Sequence, residues 1–191
     1  MMLAIPFSIY YGDDDIFVLL GAGLLTSITG ITIWLFTRKT DRLELGKREG
    51  YLIVTLGWIC MSLFGALPFI FHGSIPNFSN AFFETMSGFT TTGASILTDI
   101  ESMPHGLLFW RSFTQWIGGM GIIVLSLAIL PLLGIGGMQL YAAEVPGITK
   151  DKLHPRVKET AKRLWIIYLG FTLAETVLLM TAGMNFFDAI N

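Results

Sequence analysis

The chain has 191 residues, of which 53% are hydrophobic and only 14% are charged, with a formal net charge of −2. Soluble domains carry about 25% charged residues, so this composition indicates an integral membrane protein. A nucleic-acid partner is not expected, because no basic patch is interleaved with aromatic residues. The single cysteine, Cys60, excludes a disulfide framework and is expected to be buried. The histidines His72, His105 and His154 lack the spacing of metal ligands.

The first part of the chain contains two predicted membrane spans. Residues 1–11 are apolar but too short to cross a bilayer, and Asp13–Asp15 follow as a polar cap. Ile16–Phe36 and Tyr51–Phe71 each have the length and the apolar content of a spanning helix, and the charged loop 37–50 joins them.

The stretch 77–95, NFSNAFFETMSGFTTTGAS, is apolar but too short to cross as a helix, because a span needs about 20 residues. We predict a re-entrant segment, with a short helix from Phe78 to about Ser87 and an extended strand over Thr90–Gly93. Non-helical backbone at membrane depth is tolerated only where it is buried or lines a watery pathway. The strand is therefore predicted to direct its carbonyl groups at a cation. The alternative is an ordinary polar turn between two helices.

The second part of the chain contains two further predicted spans. A linker with Asp99 and Glu101 leads to the span His105–Leu133, which is longer than a bilayer requires and should tilt or project. A mixed polar segment, 134–163, precedes the span Leu164–Ala182. Three glycines in the third span permit close helix packing, with a hinge or a wall beside a pore as the alternative. These glycines are Gly118, Gly119 and Gly121.

The basic residues predict the orientation. Five of the 12 lie in the loop 37–50 and six lie between the third and fourth spans. The positive-inside rule puts both loops in the cytoplasm, and this requires the stretch 77–95 to re-enter rather than cross. The charge distribution therefore favours re-entry independently of the threonines.

Charge at membrane depth is costly, so a paired or functional role is the default for an ionisable residue there. Glu84 lies in the short helix, and Arg111 lies about two turns into the third span. We predict that Glu84 and Arg111, together with Gln115, bridge the two helices and hold the strand Thr90–Gly93, the predicted ion filter, in place. The alternative is that Arg111 extends to the outer interface while Glu84 faces an external vestibule.

A short sequence repeats. Asn77–Phe82 begins the re-entrant stretch, and Asn185–Ile190 follows the fourth span in the same relation, 108 residues later. Each copy comes after a basic loop and a span, so the predicted unit is helix, re-entrant loop, helix. On this interpretation the chain is a fragment that ends as its second unit begins.

Two other classes of protein compete with a cation pathway. An intramembrane hydrolase would use Ser87 or Ser95 as nucleophile and His72 or His105 as base, but no Gly-x-Ser-x-Gly elbow is present. We therefore predict that the chain is not an enzyme. The other class is a truncated membrane subunit that does not transport.

The motifs AFFETMSGFTTTGAS (81–95), FWRSFTQWIGGMGIIVLSLAILPLLGIGGMQLYAAEVPG (109–147) and GMNFFDAIN (183–191) resemble one family. It is the membrane subunit of the bacterial Trk potassium-uptake system, the TrkH/TrkG type of the Trk/Ktr/HKT superfamily. The resemblance covers nearly the whole chain and is weakest before about residue 40.

The resemblance implies an all-α polytopic membrane protein of the potassium-channel-like type, with four helix–pore-loop–helix repeats after two extra helices. Thr90–Gly93 match the first filter strand, with potassium expected at Thr91, Thr92 and Gly93, and a glycine at position 93 suggests potassium over sodium. The implied organisation is 1–50 for the extra helices (the first truncated) and a cytoplasmic loop, 51–133 for the first repeat, 134–163 for a cytoplasmic loop and 164–191 for the start of the second repeat.

The family also implies the setting. The subunit is expected in the bacterial cytoplasmic membrane as a homodimer, gated by a cytoplasmic nucleotide-binding ring of the TrkA type that would contact the loops 37–50 and 134–163. No cofactor is implied in this chain, potassium is the transported species, and symport with a proton or sodium ion stays open. One strand cannot surround an ion, so the chain alone is expected to transport nothing.

Overall fold

The computed structural model describes the backbone of residues 1–38, 47–133 and 153–191, and the side chains of these residues except 47, 123–133 and 153–158. This part of the chain is helical and contains no strand. A 3₁₀ turn, Met2–Ala4, precedes eight α-helices: α1 Ile5–Tyr11, α2 Ile16–Thr37, α3 Lys47–Gly65, α4 Leu67–His72, α5 Phe78–Phe89, α6 His105–Leu133, α7 Leu153–Thr181 and α8 Phe186–Ile190.

Within the described residues, three helical stretches are long and apolar enough to cross a membrane: Ile16–Thr37, Arg48–His72 and Glu159–Thr181. Large apolar side chains cover their outer surfaces; on α2, for example, Phe17 and Phe36 are 85% and 83% exposed. Apolar surface of this extent is unusual for a soluble monomer and typical of lipid-facing helices. The fold is therefore that of an all-helical membrane protein.

The second predicted span, Tyr51–Phe71, is two helices. α3 begins at Lys47, four residues before the predicted start, and the helix is interrupted at Ala66 before α4. Pro68 lies in the first turn of α4 and has no N–H group, so it cannot continue the hydrogen-bond ladder of α3.

Two other helices can be compared with the sequence-based boundaries. α6 has the predicted bounds, whereas α7 begins at Leu153 and so includes residues assigned from the sequence to the polar segment 134–163. The predicted loop contacts at 39–46 and 134–152, with Lys150 and Lys152 among them, lie outside the described residues.

Cys60 is exposed on the surface of α3, so the prediction of a buried thiol was wrong. The error has a physical reason. A position in an apolar spanning helix has the same sequence signature whether it packs against protein or faces lipid.

The chain divides into two compact units, Met1–Gly119 and Met120–Asn191. In the first unit, the buried core joins α2, α4, α5 and α6 through Leu19, Phe69, Ala81 and Leu107. In the second unit, α8 packs against α7.

The tripeptide Asp13–Asp15, which we call the aspartate loop, contacts both sides of the chain segment that contains α5. Asp14 Oδ1 lies 3.3 Å from Nε2 of His72, at the end of α4. Asp13 Oδ2 accepts hydrogen bonds from the backbone N–H of His105 (2.7 Å) and from its ring Nδ1 (2.9 Å), at the start of α6. The two ends of the segment 73–104 therefore lie close together, at the same end of this unit.

Candidate functional site

The site is built on α5, which begins where the sequence predicts. The side chain of Asn77 accepts hydrogen bonds from the N–H groups of Ser79 (2.9 Å) and Asn80 (3.3 Å). Asparagine is among the best residues for capping a helix N-terminus, because its oxygen satisfies N–H groups that have no partner within the helix. Asn185 caps α8 in the same way, through the N–H of Asp188 (2.9 Å). The two copies of the repeated sequence thus share their local structure.

α5 ends later than predicted. It continues through Phe89, and the N–H groups of Thr91 and Thr92 bond back to the carbonyls of Gly88 (2.9 Å) and Ser87 (3.0 Å). This pair of bonds is the Schellman motif that closes many helix C-termini. The prediction of an extended strand over Thr90–Gly93 was therefore wrong for Thr90 and Thr91, because both complete the helix end. It was also wrong for Gly93, whose backbone is left-handed rather than extended.

Thr91 has a left-handed backbone with a φ of 55°, and it is the one non-glycine residue with positive φ in the described part of the chain. The ends of α1, α4 and α7 have Gly12, Gly73 and Gly183 in that region. A β-branched residue there is strained, at a cost of about 1–3 kcal/mol. Gly93 follows with a φ of 75°, so positive φ recurs two residues on.

Glu84 lies at the centre of the site, and its side chain is 2% exposed. Its carboxylate accepts hydrogen bonds from Nε of Arg111 (2.7 Å), from Oγ of Ser95 (3.0 and 3.1 Å) and from the N–H of Ile96 (3.0 Å). One buried anion therefore joins α5, the segment after Gly93 and α6. A buried carboxylate is stable when it has a cation and hydrogen-bond donors around it, and Glu84 has both.

The segment that follows α5 is held from its other side as well. Oγ of Ser87 donates to the carbonyl of Ala94 (2.6 Å), across seven residues. Oγ1 of Thr90 lies 2.8 Å from Oγ1 of Thr92. These bonds fix the path of Thr90–Gly93 without a strand partner.

Glycines let α5 pack closely against its neighbours. A Cβ atom added to Gly118 would overlap the carbonyl group of Phe89, and one added to Gly88 would overlap Oγ1 of Thr114. On the other side of α5, a Cβ atom at Gly65 would lie 2.6 Å from Cγ2 of Thr85. The end of α5 therefore packs closely against both α3 and α6, and its position depends on both helices.

A small cavity lies between α5, the segment at 93–94 and α6. Its lining consists of Glu84, Ser87, Gly88, Gly93, Ala94, Arg111 and Gln115. It has room for about one water molecule, and its polar lining offers the partners that a buried water needs.

The structure brings most of the sequence-predicted site residues together. Glu84 and Arg111 form the predicted contact, and Gln115 lies at the same cavity. The alternative of Glu84 facing an external vestibule does not fit its burial. Gly119 and Gly121 are half-buried on α6. Whether Thr90–Gly93 bind a cation stays a prediction.

Three hydrogen-bond donors to this network had no predicted role in it: Ser87, Ser95 and the N–H of Ile96. The sequence suggests these two serines only as candidate nucleophiles of a hydrolase. Instead they donate to Ala94 and Glu84, while His72 and His105 contact Asp14 and Asp13. The sequence signal for these donors is that two hydroxyl residues lie three and eleven positions after an acid at membrane depth. Such spacings are too common to identify hydrogen-bond partners.

Comparison with known proteins identifies the family. The family model of TrkH, a cation transport protein, matches residues 17–190. The chain belongs to the TrkH family. The resemblance found in the sequence is therefore confirmed, and family membership together with the apolar helices makes this a membrane protein.

Three relatives illustrate the TrkH-family similarity. The Trk system potassium uptake protein TrkH of Escherichia coli K12 is 56% identical over 164 residues, which is 84% of this chain and 34% of that protein. TrkH of Vibrio parahaemolyticus is 52% identical over 165 residues, 85% of this chain and 34% of that protein. TrkG of E. coli K12 is 40% identical over 185 residues, 96% of this chain and 38% of that protein. The chain thus spans about a third of the length of these relatives.

Proposed function

We propose that residues 51–133 form the first helix–pore-loop–helix repeat of a TrkH-type potassium uptake subunit, with Thr90–Gly93 as one of four filter segments. The observation that carries the proposal is the buried carboxylate of Glu84, which joins α5, α6 and the segment after Gly93. The full-length subunit denotes this chain joined to the remaining repeats, which the part of the E. coli K12 relative outside the aligned third can supply.

Re-entry of the segment 73–104 is supported by the aspartate loop. His72, before this segment, and His105, after it, contact neighbouring aspartates. A segment that crossed the bilayer would leave these two histidines on opposite sides. The backbone between them is non-helical from Thr92 to Leu97. Such backbone is tolerated at membrane depth only where it is buried in protein or lines a watery pathway.

The backbone at Thr90–Gly93 supports a role in cation coordination. Carbonyl oxygens replace the hydration shell of potassium in selectivity filters, and neutral dipoles bind the ion without trapping it. The C-terminal end of α5 adds partial negative charge beside these residues. Strain retained at Thr91, where glycine would be unstrained, is a feature that clusters at functional sites. Potassium is the cargo in this proposal, and the chain needs no cofactor.

Gly93→Ser tests the filter assignment. A Cβ atom at Gly93 meets nothing within 4 Å, so the substitution adds backbone strain and a hydroxyl group without a clash. We expect the ratio of Rb⁺ to Na⁺ uptake by the full-length subunit to fall by about tenfold, equal to about 1.4 kcal/mol of lost discrimination. The measurement is uptake of both ions at equal amounts of subunit in the membrane.

The matched control is Gly73→Ser. Gly73 also has a left-handed backbone, with a φ of 81°, and open space around its Cβ position, but it ends α4 rather than lying in the proposed filter. The control carries the same strain and should leave the ion ratio unchanged. An unchanged ratio for Gly93→Ser would remove the filter assignment.

The rest of the assembly is also a proposal. We propose a homodimer of the full-length subunit in the bacterial cytoplasmic membrane, regulated by a nucleotide-binding ring of the TrkA type. Support for a multi-component system comes from the names of the relatives, which are Trk system proteins. Reversing the charges of Lys150, Lys152 and Arg156 should abolish co-purification of the ring, and retained co-purification would exclude these residues as its contact.

A further inference from the structure

The first turn of α6 is capped by residues that lie far earlier in the chain. The first four N–H groups of any α-helix have no partner within the helix. Pro104 precedes α6 and has no side chain that could accept these bonds, and the first turn contains no acidic residue. Asp13 Oδ2 accepts from the N–H of His105 (2.7 Å) and Asp15 Oδ2 accepts from the N–H of Leu107 (2.9 Å).

This contact is enclosed. Asp15 is fully buried, although it is an acid. Gly106 allows the close approach, because a Cβ atom there would lie 2.6 Å from Asp15 Oδ2 and would overlap Oγ of Ser8. Burying a carboxylate is costly, and the positive end of the α6 dipole with the N–H of Leu107 offsets that cost.

The cap lies close to the candidate site along one rigid element. Arg111 follows Leu107 by one helical turn, at a rise of about 6 Å. Gly118 lies two turns further, against the backbone of Phe89. A shift or rotation of the start of α6 would therefore move the guanidinium group from Glu84 and change the packing against the end of α5.

We propose that Asp13 and Asp15 are positioning residues for the cation pathway, acting by fixing α6 against the N-terminal segment. Both precede residue 17, at which the family-model match begins, so this role lies outside the matched region. The inference rests on the proposed function for its effect on transport, while the capping itself can be measured separately.

The test compares Asp13→Ala and Asp15→Ala with Asp14→Ala in the full-length subunit. Asp14 has the same charge and lies between the other two, but its side chain is 90% exposed and bonds His72 rather than α6. Two quantities are measured: hydrogen–deuterium exchange of the peptide containing His105–Leu107, and the ratio of Rb⁺ to Na⁺ uptake at equal amounts of subunit in the membrane. Asp15→Asn is added because its amide oxygen can still accept from Leu107.

We expect Asp13→Ala and Asp15→Ala each to speed exchange of the first turn of α6 by about fivefold, the loss of one N-terminal cap. The ratio of Rb⁺ to Na⁺ uptake should fall in both variants. For Asp14→Ala and Asp15→Asn, the exchange rate and the uptake ratio should stay near those of the unmodified subunit. If Asp15→Ala does not reach the membrane, Asp13→Ala and Asp15→Asn decide the outcome.

Two results would overturn the inference. In the first, Asp13→Ala and Asp15→Ala behave as Asp14→Ala in the exchange measurement. In the second, exchange accelerates but the ion ratio does not change, which would make the cap purely structural. A full-length subunit that takes up no Rb⁺ before any substitution contradicts the proposed function instead, and the exchange measurement then decides on the capping alone.

Discussion

Breaking the ion pair between Glu84 and Arg111 is expected to reduce Rb⁺ uptake by the full-length subunit by about 100-fold, equivalent to about 3 kcal/mol. Glu84→Gln removes the charge from a side chain that is 2% exposed and leaves the guanidinium group of Arg111 without its anion. Arg111→Gln leaves a buried carboxylate without its cation. Arg111 is itself 21% exposed, so the penalty lies at the lower end of the range for buried pairs.

The double mutant separates the pair from its two members. If the side chains act together, Glu84→Gln with Arg111→Gln should retain more uptake than the product of the two single effects predicts, with a coupling of about 0.5–3 kcal/mol. Thermal unfolding in detergent, measured on the same four proteins, reports how much of the effect is loss of the fold.

An exposed ion pair in the same chain serves as control. Nε of Arg163 lies 3.7 Å from Oε1 of Glu159 on α7, and the two side chains are 75% and 62% exposed. Neutralising this pair should change the unfolding temperature very little, because exposed pairs contribute little to stability. Additive effects at Glu84 and Arg111, similar to those at Glu159 and Arg163, would show that the buried contact does not hold the site.

Helix positions could be predicted from the sequence where the signal is local. The start of α5 follows from Asn77, a good capping residue directly before an apolar run. The bounds of α6 follow from its apolar length and from Pro104 before it. The contact between Glu84 and Arg111 followed from the cost of charge at membrane depth, which limits the possible partners to a few residues.

The details of the site could not be predicted, because they depend on contacts between distant residues. Threonine favours extended backbone by its local preference, so the sequence predicts a strand at Thr90 and Thr91. In the folded chain, closure of α5 onto the carbonyls of Ser87 and Gly88 overrides that preference. The caps on α6 join residues 92 positions apart, and nothing local to Asp13 or Asp15 indicates that partner.

Gly118→Ala is expected to have the other large effect. The added Cβ atom would overlap the backbone carbonyl of Phe89, the last residue of α5, and a backbone group cannot rotate away as a side chain can. Relief requires α5 or α6 to move, at a cost of about 1–3 kcal/mol or more. Because Thr90 follows Phe89 directly, that movement displaces the proposed filter segment, and Rb⁺ uptake by the full-length subunit should fall by about tenfold or more.

Gly30→Ala provides the matched control, since Gly30 lies within α2 and its Cβ position meets nothing within 4 Å. Alanine has a higher helix propensity than glycine, so this substitution should leave uptake unchanged and raise the unfolding temperature slightly. Close packing and a hinge at Gly118 predict different results. A hinge requires a change in uptake with an unchanged unfolding temperature, because the alanine would restrict motion without a clash. Packing against Phe89 requires both quantities to fall together, and retained uptake with retained stability would contradict the contact itself.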